Sequence, residues 1–135
     1  MLKKLGLVEL IKAIQDKIQK TGYKCYDAVP LNAKSPFYFA EVVGKKQADT
    51  KTMFCDVFTV WIHAIAEPNK SSVSIYNLIE KLEESLTDDI ELPEDFNLII
   101  QTELGLQTIK IDETNEKHAV IAYEFKVSYG FKTKV

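Results

Sequence analysis

The side chains that could make or break bonds are few: His63 and His118, Cys25 and Cys55, and an acidic run from Glu80 to Asp95. His63 sits in an apolar stretch beside Trp61, where imidazole could act as a general base or a metal ligand. No second histidine and no nucleophile–carboxylate set stands at motif spacing from it, so it reads as a strand-face or interface residue. His118, next to Lys117 at the start of the last extended segment, reads as exposed. The two cysteines fall in extended segments, away from the helix N-termini or neighbouring bases that turn a thiol into a reactive thiolate, and read as small buried hydrophobes. With neither close spacing nor histidine ligands, they make no disulfide framework or zinc site and fit reduced thiols in a cytoplasm.

Glu80, Glu83, Glu84, Asp88, Asp89, Glu91, Glu94 and Asp95 could supply carboxylates to a cation, but they lack calcium-loop spacing and its obligate glycine. They read as a solvated helix face and loop. Only five glycines occur, and none forms a phosphate-cradling loop, a dinucleotide fingerprint or a serine elbow. The seven Phe, six Tyr and one Trp could stack on single-stranded nucleic acid, yet many alternate on one strand face, as core residues do. No catalytic, cofactor-binding or metal-ligating residues are therefore expected.

Composition narrows the classes further. The 135 residues make one domain, 1–135, of which 46% are hydrophobic and 27% charged, enough apolar surface to build a core. A formal net charge of -3, with basic residues that are scattered and all lysine, disfavours nucleic acid and anionic membranes as partners. Glu9 and Lys12 interrupt the apolar start, so no cleaved leader is expected. No run approaches the roughly 18 apolar residues that span a bilayer, and a soluble protein is expected.

The elements follow from hydrophobic period. Leu7, Ile11, Ile14 and Ile18, widened by Leu10, recur at helical spacing between Leu5 and Lys20, and Gly22 ends that helix. Residues Tyr23 to Val29 read as a short strand followed by an irregular loop through Pro36. Phe37 to Val43 reads as the next strand. The polar segment Gly44 to Lys51 reads as a long hairpin tip, where loop-borne function concentrates. Met53 to Ala66, apolar on both alternate faces, predicts a central strand. A second helix follows, capped by Ser71 or Ser72, with Ile75, Ile79, Leu82 and Leu86 as its buried stripe. Phe96 to Gln101, Leu106 to Ile111 and Ala119 to Phe131 predict three strands, with a polar turn over Asp112 to Lys117. The order predicts an α+β, two-layer domain: a mostly antiparallel sheet with two amphipathic helices on one face.

This order and several local signatures resemble the tail completion, or tail-to-head joining, proteins of long-tailed siphophages. The carrying residues are the N-terminal helix, Tyr26-Asp27-Ala28-Val29-Pro30, Asn32-Ala33, and Ser35-Pro36-Phe37-Tyr38. After the polar hairpin come Phe58-Thr59-Val60-Trp61-Ile62-His63, the serine-capped helix and a final strand ending near Tyr129. The resemblance implies a non-enzymatic phage virion protein. It would cap the tail tube as a hexameric ring, remain monomeric in solution until it meets its template, and dock onto head connector proteins. Its place would be the tail end at the head–tail interface, after assembly in the host bacterial cytoplasm. It carries no site residues of its own. On exposure, the candidate protein-interface residues are Lys45, Lys46, Gln47, Asp49 and Lys51 in the hairpin, and Phe131, Lys132 and Lys134 at the C-terminus. The alternative is a small intracellular domain that binds a ligand in a pocket near Trp61, His63 and Tyr38, or binds proteins through exposed strand edges.

Overall fold

The computed structural model describes residues 1–111, 113 and 115–132. Their elements are α1 (Leu7–Ile18), β1 (Cys25–Tyr26), β2 (Phe37–Gln47), β3 (Met53–Ala66), α2 (Val73–Ser85), β4 (Asn97–Ile111) and β5 (Lys117–Phe131). The strands form one five-stranded sheet in the order β1-β2-β3-β5-β4. Only the β1–β2 pair is parallel; the other three junctions are antiparallel. The fold is α+β, as the periodicities predict, and both helices pack on the same face of the sheet into one core. No helix among the described residues is long and apolar enough to cross a membrane.

Helix α1 starts where the Glu9 carboxylate turns back to accept the Gly6 N–H at 2.9 Å, satisfying a donor that has no intrahelical partner. It ends in a short 3-10 turn closed by Gly22, whose φ of 95° suits a residue without Cβ. Its buried side chains are Leu10, Ala13, Ile14 and Ile18, whereas Leu7 is 46% exposed and Ile11 only half-buried. The stripe is thus rotated by about one position from the Leu7–Ile11 expectation, because small Ala13 lets that side of the helix approach the sheet. Helix α2 begins with the Val73 N–H donating to Ser71 Oγ at 3.1 Å. It buries Ile75, Leu78, Ile79 and Leu82, and Leu86 follows into the core. At its far end the Ser85 and Thr87 hydroxyls donate to the Leu82 and Glu84 carbonyls, which also accept the Leu86 and Thr87 N–H groups.

Strand β3 occupies the centre of the sheet as its two-sided apolar pattern requires. Its Phe58, Val60, Ile62, Ala64 and Ala66 meet Ala119, Ile121, Tyr123, Phe125 and Val127 of β5 under the helices. Tyr38 of β2 joins this layer and donates its hydroxyl to the Leu78 carbonyl of α2 at 2.6 Å, tying helix to sheet through a fully buried hydrogen bond.

Three boundaries depart from expectation. β1 is two residues long instead of the predicted Tyr23–Val29 segment, because Asp27 accepts the Ala28 N–H at 2.8 Å and the chain turns there toward Pro30. The segments Phe96–Gln101 and Leu106–Ile111 are one strand: β4 absorbs three bulges, and Gly105 takes a φ of 108° at the second. β2 runs on to Gln47, so the hairpin tip is five residues long rather than eight. In the predicted polar turn before β5, Asp112 and Thr114 lie outside the described residues, and Asn115 takes a φ of 64°.

Candidate interface at one end of the sheet

The hairpin and the C-terminal candidates, reached separately along the chain, lie together at one end of the sheet. Lys45, Lys46 and Gln47 are paired strand residues, opposite Phe58, Val57 and Asp56, which corrects their reading as loop. The residues from Ala48 to Thr52 make a tight turn: the Ala48 N–H donates to the Cys55 carbonyl at 2.9 Å and the Thr50 N–H to the Met53 carbonyl at 3.0 Å. Asp49 organises this turn. Its carboxylate accepts the Cys55 N–H at 3.0 Å and the Gln47 side-chain amide at 2.9 Å, and those bonds, the Cys55 one foremost, hold its pKa below the usual carboxylate range.

The C-terminal segment closes on the same turn. The Lys132 N–H donates to the Thr52 carbonyl at 2.8 Å, and the Lys132 ammonium lies 3.7 Å from Asp49 Oδ2 and 5.4 Å from the Phe54 ring centroid. Phe131 pairs with Met53 and is exposed, as is Lys51. Lys134 lies outside the described residues. Beneath this end, Phe54 stacks on Tyr129 at 5.9 Å, Lys4 lies 5.5 Å from the Tyr129 centroid, and Lys4 reaches the buried Asp56 at 3.8 Å. The result is a hydrogen-bonded, mixed-charge tip with exposed Lys51 and Phe131.

On the sheet face opposite the helices, His63 is 8% exposed. Its Nδ1 lies 2.7 Å from His118 Nε2 and its Nε2 lies 3.1 Å from Glu41 Oε1. Its ring stacks on Phe39 at 4.0 Å. The strand-face reading of His63 holds, but His118 is a half-buried partner of His63, which corrects its reading as simply exposed. The chain Glu41–His63–His118 could relay a proton, since a carboxylate orients one imidazole against another. Spacing along the sequence could not reveal it, because Glu41, His63 and His118 come from β2, β3 and β5 and meet only through the register of the sheet.

The pocket imagined around Trp61, His63 and Tyr38 does not form: Tyr38 faces the helices, whereas Trp61 and His63 share the other face. Open clefts lie elsewhere. One, of about 420 Å³, lies between the ends of the helices and is lined by Lys17, Lys20, Lys81, Glu84 and Asp88. Another, of about 430 Å³, lies by Met1, Leu2, Pro93, Phe96 and Tyr129. Among the described residues, no three His, Cys, Asp or Glu side chains are grouped to hold a metal ion.

Cys25 and Cys55 are both buried and free, and burial pushes the Cys25 thiol up to about 12, the inert state expected of it. The acidic run is largely exposed. Glu83 is the exception: burial, and then the neighbouring Glu103 carboxylate, raise its pKa. Glu103 in turn accepts the Tyr123 hydroxyl at 2.9 Å.

A family model described as "Putative tail termination protein" matches residues 1–135. No curated protein matches. Among solved structures, a chain of the "Virion of native gene transfer agent (GTA) particle" superposes with a TM-score of 0.68 at 16% identity, covering 90% of this chain and 96% of that one; this is a likeness of fold.

Proposed function

We propose, from the premise that the chain belongs to the family of putative tail termination proteins, that it caps the finished tail tube and joins it to the head connector. Family membership over the whole chain supports a phage tail assembly role and a structural part in the virion. The finer reading is a ring of copies, hexameric when assembled and monomeric before it meets the tube. In that reading the sheet end built from the 48–52 turn and Lys132 makes the contacts to tube or connector.

The observation that carries this site is the convergence of two chain segments, one internal and one terminal, on Asp49 and Thr52. Such a tip keeps its shape before it meets a partner, which limits the ordering entropy lost on binding. Weak contacts of each copy then add up when several copies meet a symmetric template.

The test is complementation of a phage deleted for the gene with the double variant Lys51→Glu/Phe131→Ser. Both side chains are exposed, so the protein should fold and melt as the wild type does while the yield of joined heads and tails falls at least tenfold. Wild-type yield from this variant would remove the tip from the joining surface.

A further inference from the structure

The sheet has two open edges of unlike character. On one side β1 covers only Tyr38 and Phe39 of β2, so among the described residues the outer edge of β2 from Ala40 to Gln47 has no strand beside it. It exposes Glu41, Val43, Lys45, Lys46 and Gln47. On the other side β4, fifteen residues long, is the last strand and presents Ile99, Ile100, Leu104, Leu106, Ile109 and Ile111 as exposed apolar side chains.

Natural edges are blunted with lysines, prolines or bulges, because a long apolar edge invites another chain. β4 has its three bulges, but the residues they set out of register include Ile99 and Leu104, both exposed. The bulges turn apolar side chains outward instead of hiding them.

On the helix side of the sheet the charges of the two edges are opposite, while on the other face β4 carries Lys110 and β2 carries Glu41 and Lys46. Glu103 of β4 lies against Glu83 of α2, and Glu80 adds to the same field; among the described residues no lysine is ion-paired with these three. On the same helix side the β2 edge carries Lys45, which pairs with Phe58. Strand direction also matches. β2 and β5 run one way and β3 and β4 the other. Copies related by a rotation that preserves strand direction would therefore bring β4 of one beside β2 of the next in antiparallel register, with the helices on a common face.

We infer that copies of this chain join head to tail, the β4 edge of one copy pairing with the β2 edge of its neighbour, so that the acids of the first meet Lys45 of the second. A heterologous contact of this kind closes into a ring when its rotation divides a full turn, and main-chain hydrogen bonds across the junction supply affinity, as in strand addition. The inference rests on the ring reading above and names the surface that makes the ring.

Disulfide trapping tests it. Tagged Lys46→Cys is mixed in turn with untagged Ile100→Cys, Thr102→Cys and Thr108→Cys at high concentration under mild oxidation. Lys46 pairs with Val57, and the β4 positions with Lys126, Glu124 and Val120; all four sites therefore lie on the sheet face opposite the helices. The native cysteines are buried and do not compete, and unchanged circular dichroism establishes that each variant is folded. The expected product is a dimer of one tagged and one untagged chain with at least one partner, many times more abundant than in either variant alone. Dimers formed by β4 variants alone, or no dimers in any mixture, would overturn the edge pairing. Mixed dimers together with failure to bind tail tubes would leave the pairing standing and sink the terminating role; capping of tubes without mixed dimers would do the reverse.

Discussion

Asp49 does the work of several backbone contacts with one side chain, and its charge makes that work depend on pH. Because the folded carboxylate is held below its ordinary pKa, chiefly by the Cys55 N–H, it stabilises the turn fully above the unfolded value of about 3.8. That contribution is lost as pH falls through the lowered value. Asp49→Ala should therefore melt below the wild type at pH 7, and the two melting curves should converge in strong acid; a gap independent of pH would show that the carboxylate charge is idle. Asp56 is a different case. It is buried, with Lys4 at 3.8 Å as its ion-pair partner and Oδ2 without a hydrogen-bond partner among the described residues. Desolvation of such a charge offsets most of what its pair returns. Asp56→Asn should melt at or above the wild-type temperature, and Lys4→Ala should cost about 1 kcal/mol, discounted because the lysine is half exposed. A large loss in Asp56→Asn would mean that the carboxylate has a partner not recognised here. Neither role could be read from residue type alone, since Asp49 looked like one more polar residue of the Gly44 to Lys51 segment and Asp56 sat in an apolar run.

Elements were legible where period was strong and local. The two-sided apolar pattern of Met53 to Ala66 predicts β3 to the residue, and the stripe of α2 holds because Ile75, Ile79 and Leu82 must all leave water. Legibility failed where hydrogen bonding between distant segments decided the outcome. Lys45 to Gln47 are polar, yet they extend β2 because residues 56–58 offer a ladder to pair with. β4 looked like two strands because Gly105 interrupts it, but a glycine at positive φ makes a bulge without ending the pairing. Gly105→Ala should cost about 1–2 kcal/mol from backbone strain alone, since a Cβ there meets nothing within 4 Å. Gly44→Ala, where a Cβ would meet Thr59 at an ordinary 3.5 Å, should change stability by less than about 0.5 kcal/mol. Equal effects in thermal melts of the two variants would remove the conformational account of β4. The candidate site was half legible in the same way: exposure found the hairpin and the C-terminus, while their union through Lys132 and Thr52 needed the β3–β5 register.

At the scale of the whole molecule, one face of the sheet is spent on a core, and the proposed contacts fall on the end and the edges of the sheet. The helices cover Phe58, Ile62, Ile121 and Phe125, leaving a hydrogen-bonded tip, an apolar edge with Glu103 on its helix side and a polar edge with Lys45 on the same side. That distribution suits a component of a symmetric particle, in which every copy has a neighbour on each side and a partner at its end. The chain's family membership accords with it. The most direct measurement is electron microscopy of purified tail tubes incubated with the gold-tagged protein. The account predicts label at one end of each tube, as a single ring, and none along the shaft. Label scattered along the tubes, or absent from them while the protein is folded, would contradict it.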